Sequence, residues 1–120
     1  DIAHEMIHQS TYHGVRYFEF TDSLVNGSLK IFREWLIVIA EHNDKCSDEE
    51  KIHWFGQYIC RPQSQTPSDI YDLMKRSGVV NLIIGVDSGS EFATMVEGLF
   101  IGGIVAEKAH LNQFIELLSH

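Results

Sequence analysis

The sequence predicts an α/β domain built from parallel βαβ units. Short apolar segments alternate with helical segments along the chain, a pattern typical of a parallel sheet with helical crossovers. The run from Val80 to Val86 is nearly continuous in apolar residues, as expected of a strand buried on both faces. It ends at the polar segment 87–91, which suits a ligand-binding loop beyond the carboxyl end of a strand. An ordinary turn with Ser90 as helix N-cap is the alternative.

Length and composition predict one modest domain over residues 1–120. Hydrophobic residues make up 44% of the chain and charged residues 22%, and no apolar run approaches the roughly 20 residues of a membrane span. The net charge of −8 argues against nucleic-acid or anionic-membrane partners, which need a positive surface. Cys46 and Cys60 are the only cysteines, which suits a reducing compartment, so we expect a cytoplasmic protein. The first residue is Asp1 and not Met, and we expect a fragment of a longer chain.

Periodicity gives the expected element order. Helices are predicted at residues 1–13, 29–40, 68–77 and 92–97, and strands at 15–20, 52–60 and 80–86. Thr66 is the expected N-cap of the third helix. Leu111, Phe114, Ile115 and Leu118 predict a final amphipathic helix. Because three parallel strands leave both sheet edges open, we expect a homo-oligomer or a missing remainder of a barrel.

Polar residues follow each predicted strand. Parallel strands place their carboxyl ends on one rim, where we expect Thr21, Asp22, Ser23, Gln57, Arg61, Asp87, Ser88 and Ser90. Carboxylates there could bind amines and ribose hydroxyls, and an arginine could bind a carboxylate. The rim therefore suits a small-molecule cofactor, an amino-acid-bearing nucleoside. In the alternative, Asp22 caps the next helix, Arg61 pairs with it and nothing binds.

Three of these segments resemble a known family. Residues 14–27, 54–62 and 85–90 resemble the second, third and fourth strands of radical S-adenosylmethionine (SAM) enzymes, especially the subgroup that often carries a cobalamin-binding domain. The resemblance implies a (β/α)6 partial TIM-like barrel that binds SAM and a [4Fe–4S] cluster, with cobalamin as a possible further cofactor. It implies that residues 21–23 meet the methionine amino end, that Asp87 approaches the ribose, and that Gln57 and Arg61 line the cavity.

The chain departs from that family in ways that affect activity. The cluster motif CxxxCxxC and the strand before it are absent. Asp87 replaces the more usual Glu, and Glu97 stands where the subgroup usually has Lys. We therefore expect a fragment of a radical SAM enzyme that keeps SAM-contacting strand ends, binds no cluster and is inactive alone. A non-catalytic, self-associating α/β module is the second hypothesis.

A third hypothesis comes from the first predicted helix. His4-Glu5-Met6-Ile7-His8 matches HExxH, in which two histidines one helical turn apart bind Zn²⁺ and the glutamate acts as a general base. His13 is one residue too close to extend the motif. Two solvated histidines on a surface helix are the alternative that we favour.

Overall fold

The computed structural model describes residues 2–61, 63–85, 89–104 and 115–117, without the side chains of 21–23, 63, 85, 89–91 and 115–117. The helices are α1 (Ile2–His13), α2 (Leu29–Asp44), α3 (Ser68–Arg76) and α4 (Gly89–Ile101), with a short 3-10 turn at Gln63–Gln65. The strands are β1 (Tyr17–Leu24), β2 (His53–Ile59), β3 (Val79–Gly85) and β4 (Ile115–Leu117).

The four strands form one sheet in the order β1-β2-β3-β4, and every adjacent pair is parallel. The predicted α/β class is therefore confirmed. Side chains on the two faces of β2 alternate in burial: Trp54, Gly56 and Tyr58 are buried, whereas His53, Phe55, Gln57 and Ile59 are partly exposed. This alternation shows that the sheet has one covered face and one open face.

The helices form a single layer on the covered face. The apolar stripe of α2 contributes Phe32, Leu36 and Ile39, which are fully buried, and α4 contributes Met95 and Leu99. An aromatic cluster joins helix to sheet: the Trp35 ring lies 5.0 Å from Phe20 and 5.1 Å from Trp54. Helix α2 begins after Ser28, whose hydroxyl accepts a hydrogen bond from the Ile31 N–H at 3.3 Å, the usual role of a serine at a helix N-cap.

The opposite face of the sheet has no helix over it in the described part of the chain. Tyr17 and His53 stack across β1 and β2 on this side, with ring centroids 5.1 Å apart, and Tyr17 remains 65% exposed. Asn81 and Ile83 of β3 are only partly buried, whereas Leu82 and Ile84 on the helix side are fully buried. Parallel sheets are normally buried on both faces. Within the described ranges, this sheet is covered on one face only.

Three details differ from the sequence predictions. The prediction of a final amphipathic helix is wrong for Ile115–Leu117, the part of that segment that the structure describes, because these residues form a strand paired with β3. Helix α4 is longer than predicted and ends at Ile101. Thr66 does not cap α3: the N-cap is Pro67, which makes no side-chain hydrogen bond to the helix. For Ile115–Leu117, the local helical pattern was overridden by pairing with a strand far away in the sequence.

Candidate functional site

The carboxyl ends of the parallel strands define the candidate site. β1 ends at Leu24, β2 at Ile59 and β3 at Gly85, and parallel pairing brings these ends to the same edge of the sheet. Residues 21–23 form the last part of β1, although the sequence predicted a loop there. Gln57 lies within β2, paired with Leu24 on one side and Ile83 on the other. Arg61 lies two residues beyond the end of β2.

Not every predicted residue is described. The backbone of Thr21, Asp22 and Ser23 lies in β1 and that of Ser90 in the first turn of α4, but their side chains lie outside the described residues. Asp87 and Ser88 lie outside the described residues altogether. Their roles toward a ligand stay predictions, as do those of Gln57 and Arg61.

Arg61 is the basic side chain described at this edge. It is partly buried, and its Nη2 donates a hydrogen bond to the Asn26 carbonyl at 3.4 Å. Its Nε is buried and has no hydrogen-bond partner among the described residues. An unsatisfied buried donor on a charged group is costly. Arg61 therefore holds unused hydrogen-bonding capacity at the carboxyl edge.

Asn26 fixes the end of β2, and the sequence analysis missed this role. Its Oδ1 accepts the Ile59 N–H at 2.6 Å, and its Nδ2 donates to the Ile59 carbonyl at 3.0 Å. Asn26 is fully buried. The sequence predicted a turn and a helix start at Asn26-Gly27-Ser28; nothing local in the sequence identifies a partner 33 residues away.

Three hydroxyl side chains interact with one another near the end of β2. Tyr58, Thr66 and Tyr71 are all buried. Burial, and to a smaller extent Tyr71, raises the pKa of Tyr58 far above its ordinary value, while Thr66 and Arg61 oppose that rise. Burial also raises the pKa of Tyr71. The Thr66 and Tyr71 hydroxyls have no well-formed hydrogen bond among the described residues, so this cluster stays neutral and is only partly satisfied.

The HExxH segment lies in the first half of α1, and Ile2 of that helix lines a hollow together with Leu24, the last residue of β1. His4 and His8 are both exposed, and Glu5 accepts a hydrogen bond from Gln9 Nε2 at 2.9 Å. His8 packs against the Tyr12 ring at 4.8 Å. In the described ranges, no cluster of three metal-ligating side chains is found. The helix thus offers two histidines and no third ligand from the described residues.

The two cysteines do not suit an iron–sulfur cluster. Such a cluster is held by several thiolates close together. Cys60 follows β2 at the carboxyl edge, whereas Cys46 precedes β2 at the other end of that strand, where its thiol donates to the His42 carbonyl at 3.2 Å. The described chain therefore lacks the ligand set for a [4Fe–4S] cluster.

Comparison with known proteins gives one informative match. No protein-family model matches the chain, and no curated protein matches it. Among solved structures, the chain is similar to the radical S-adenosylmethionine methyltransferase TsrM from Kitasatospora setae, determined with cobalamin and a [4Fe–4S] cluster bound. The TM-score is 0.63 at 15% identity, and the match covers 97% of this chain.

The likeness to TsrM shows the fold alone, because the identity is low. The chain spans 23% of the length of that protein. The chain is thus an α/β structure of parallel strands whose fold is similar to that of part of a radical SAM methyltransferase. None of the helices in the described ranges has the length and apolar character needed to cross a membrane.

Proposed function

We propose that this chain is the SAM-binding section of a radical-SAM-type barrel and that it binds SAM without cleaving it. One observation carries the proposal: parallel strands end together at one edge, where the polar residues 21–23, Gln57 and Arg61 lie on neighbouring strands or within two residues of their ends. Ligands of α/β sheets bind outside the carboxyl ends of the strands. The structural likeness to TsrM supports the same assignment.

Each group of residues has a distinct role in this proposal. Arg61 binds the methionine carboxylate, for which its guanidinium is chemically suited. Asp22, with Thr21 and Ser23, accepts hydrogen bonds from the methionine amino group. Asp87 binds the ribose hydroxyls, and Gln57, Ser88 and Ser90 complete the cavity wall.

The chain itself supplies binding and orientation only. The family's cluster would provide the electron for reductive cleavage, but this chain lacks the thiolates to hold it. Chemistry of that kind would require cysteines from elsewhere.

Isothermal titration calorimetry with SAM and with 5′-methylthioadenosine tests the proposal, because the second ligand keeps the nucleoside and lacks the amino acid. We expect both to bind the unaltered chain. Arg61→Ala should weaken SAM binding by about 10- to 100-fold, the effect of losing a charged hydrogen bond, and leave methylthioadenosine binding unchanged. Arg33→Ala is the matched control, since Arg33 pairs with Asp69 on the helix layer. Absence of SAM binding to the folded chain would refute the proposal.

A non-catalytic, self-associating module is the second candidate, and the open face and edges of the sheet favour it. The two candidates are compatible, because association could complete the cavity wall.

A further inference from the structure

The outer edge of β1 is open in the described part of the chain, where β1 pairs with β2 alone. The Arg16 carbonyl accepts the His53 N–H of β2 at 2.7 Å. In a parallel pair, alternate residues of a strand direct their N–H and carbonyl groups toward the neighbouring strand. Because Arg16 faces β2, the N–H and carbonyl groups of Tyr17 and Glu19 point away from β2. The outer edge of β1 thus presents outward-pointing backbone groups in the regular part of the strand, before the register shift between Phe20 and Leu24, and these groups are a template for a further strand.

Two apolar hollows open beside this edge, between the sheet and the helix layer. One has a volume of about 320 Å³ and is lined by Phe20, Leu24, Ile31 and Trp35 among others. The other, also about 320 Å³, lies beneath α1 and includes Met6, Phe18 and Phe20. Ile2 and Phe20 line both. Each hollow lies where a strand added to β1 would place its helix-facing side chains.

Apolar residues around these hollows are unusually exposed. Ile2 is 53% exposed, Leu24 47% and Ile31 61%. Together with the unpaired backbone of β1, they form what we call the β1-edge slot: the outer edge of residues 17–24 and the two hollows beside it. An edge both apolar and unpaired favours association with another strand.

The chain carries a strand of suitable character at its other sheet edge. β4 pairs with β3 alone in the described residues. Its sequence, Ile115-Glu116-Leu117, is apolar at alternate positions. Ile115 and Leu117 lie in register with Leu82 and Ile84, both of which are buried on the helix side. Paired with β1 of a second copy, these two positions would therefore belong to the side on which the hollows open.

We propose that the β1-edge slot binds β4 of a second copy of this chain in parallel. In a dimer with a twofold axis, β1 of each copy pairs with β4 of the other copy. All four edge strands are then paired, and the assembly is closed. Eight parallel strands then form a barrel whose interior side chains fill it, and the open sheet faces of both copies become that interior. This inference is independent of SAM binding.

Size-exclusion chromatography with light scattering, repeated over a range of protein concentrations, tests the proposal on the whole chain. We expect a mass of twice 13.7 kDa. Glu19→Pro removes an outward-pointing N–H without touching the β2 ladder, and should shift the chain to monomer. Glu19→Ala, which keeps that N–H, should remain dimeric.

A second pair of variants tests whether the hollow lined by Phe20, Leu24, Ile31 and Trp35 takes part in the contact. Ile31→Lys places a charge at the rim of the slot and should raise the dimer dissociation constant by about tenfold or more. Ile37→Lys alters another exposed apolar residue of α2 that does not line either hollow, and should leave the constant unchanged. Circular dichroism checks that each variant is folded.

Three results would overturn the proposal. The first is a folded monomer at every concentration, which would assign the slot to some other occupant. The second is an open series of ever larger oligomers. The third is a dimer that survives Glu19→Pro in a folded variant, since association would then use another surface.

Discussion

The side-chain amide of Asn26 exchanges two hydrogen bonds with the backbone of Ile59, at 2.6 and 3.0 Å. The pairing register between β1 and β2 shifts between Phe20 and Leu24, so the regular ladder is interrupted near its carboxyl end. Asn26 then provides, with a side chain, the donor and acceptor that a strand would have provided. This holds the end of β2, and with it Arg61, at the candidate site.

Removal of the Asn26 amide should destabilise the fold and disturb the site together. Asn26→Ala leaves the Ile59 N–H and carbonyl without these partners, and we expect a loss of about 2–4 kcal/mol in the free energy of unfolding. Urea denaturation followed by circular dichroism measures it. Gln9→Ala removes an exposed amide bonded to Glu5 and should change stability by less than about 0.5 kcal/mol. Equal effects of the two substitutions would contradict the role given to Asn26.

The sequence was sufficient to predict the α/β class and the parallel arrangement. The nearly continuous apolar run at β3 and the alternation of strands with helices depend on local pattern, and both are matched by Val79–Gly85 and its parallel neighbours. The Asn-Gly-Ser segment predicted a turn and a helix start, and α2 begins at Leu29, directly after it. These features are fixed by residues close together in the chain.

Features that depend on distant contacts were missed. Asn26 and Asn43 look like turn and helix-end residues, yet Asn43 also exchanges hydrogen bonds with Ile52, the residue just before β2, at 2.8 and 2.9 Å. Ile115–Leu117 carries a helix-like pattern but pairs with β3, because strand pairing overrides local preference. For the candidate site, the sequence predicted that the strand ends lie at one edge of the sheet. It did not predict the positions of the side chains there.

Substitution of two glycines distinguishes the cost of an unfavourable backbone conformation from the cost of a steric clash. Gly14 and Gly78 both have positive φ, at +69° and +88°. A Cβ on Gly14 would meet nothing within 4 Å, whereas one on Gly78 would collide with the Ile52 carbonyl. Gly14→Ala should therefore cost about 1–2 kcal/mol from conformation alone, and Gly78→Ala more than about 4 kcal/mol. Thermal and urea unfolding measure both; similar losses would show that β2 can move away from Gly78.

The indole N–H of Trp54 has the Ser77 hydroxyl as its hydrogen-bond acceptor. Its Nε1 donates to Ser77 Oγ at 2.9 Å, and Ser77 Oγ donates to the Met74 carbonyl at 3.0 Å. Both residues are fully buried, so Ser77→Ala should leave the indole N–H unsatisfied and cost about 1–3 kcal/mol. The measurement is the urea midpoint, with Ser64→Ala at an exposed position as control. A midpoint that falls no further than that of the control would show that the indole finds another acceptor.

An ion pair between helices α2 and α3 should make stability depend on acid pH. Arg76 Nη2 donates to Asp44 Oδ2 at 2.5 Å, and this hydrogen bond is the main reason that the pKa of Asp44 lies below its ordinary value of 3.8. A carboxyl group whose pKa is lowered by folding stabilises the folded state above its unfolded pKa. That contribution is lost as the pH falls through the folded pKa.

A double-mutant cycle isolates this contribution. Arg76→Gln, Asp44→Asn and the double variant are unfolded in urea near neutral pH and again well below pH 3.8. We expect a favourable coupling between the two side chains near neutral pH that disappears in acid, when Asp44 is protonated in the folded and unfolded states alike. High salt should reduce the coupling near neutral pH, because both side chains are substantially exposed, 39% for Arg76 and 50% for Asp44. A coupling that persists unchanged in acid would mean that the two side chains interact through packing and not through charge.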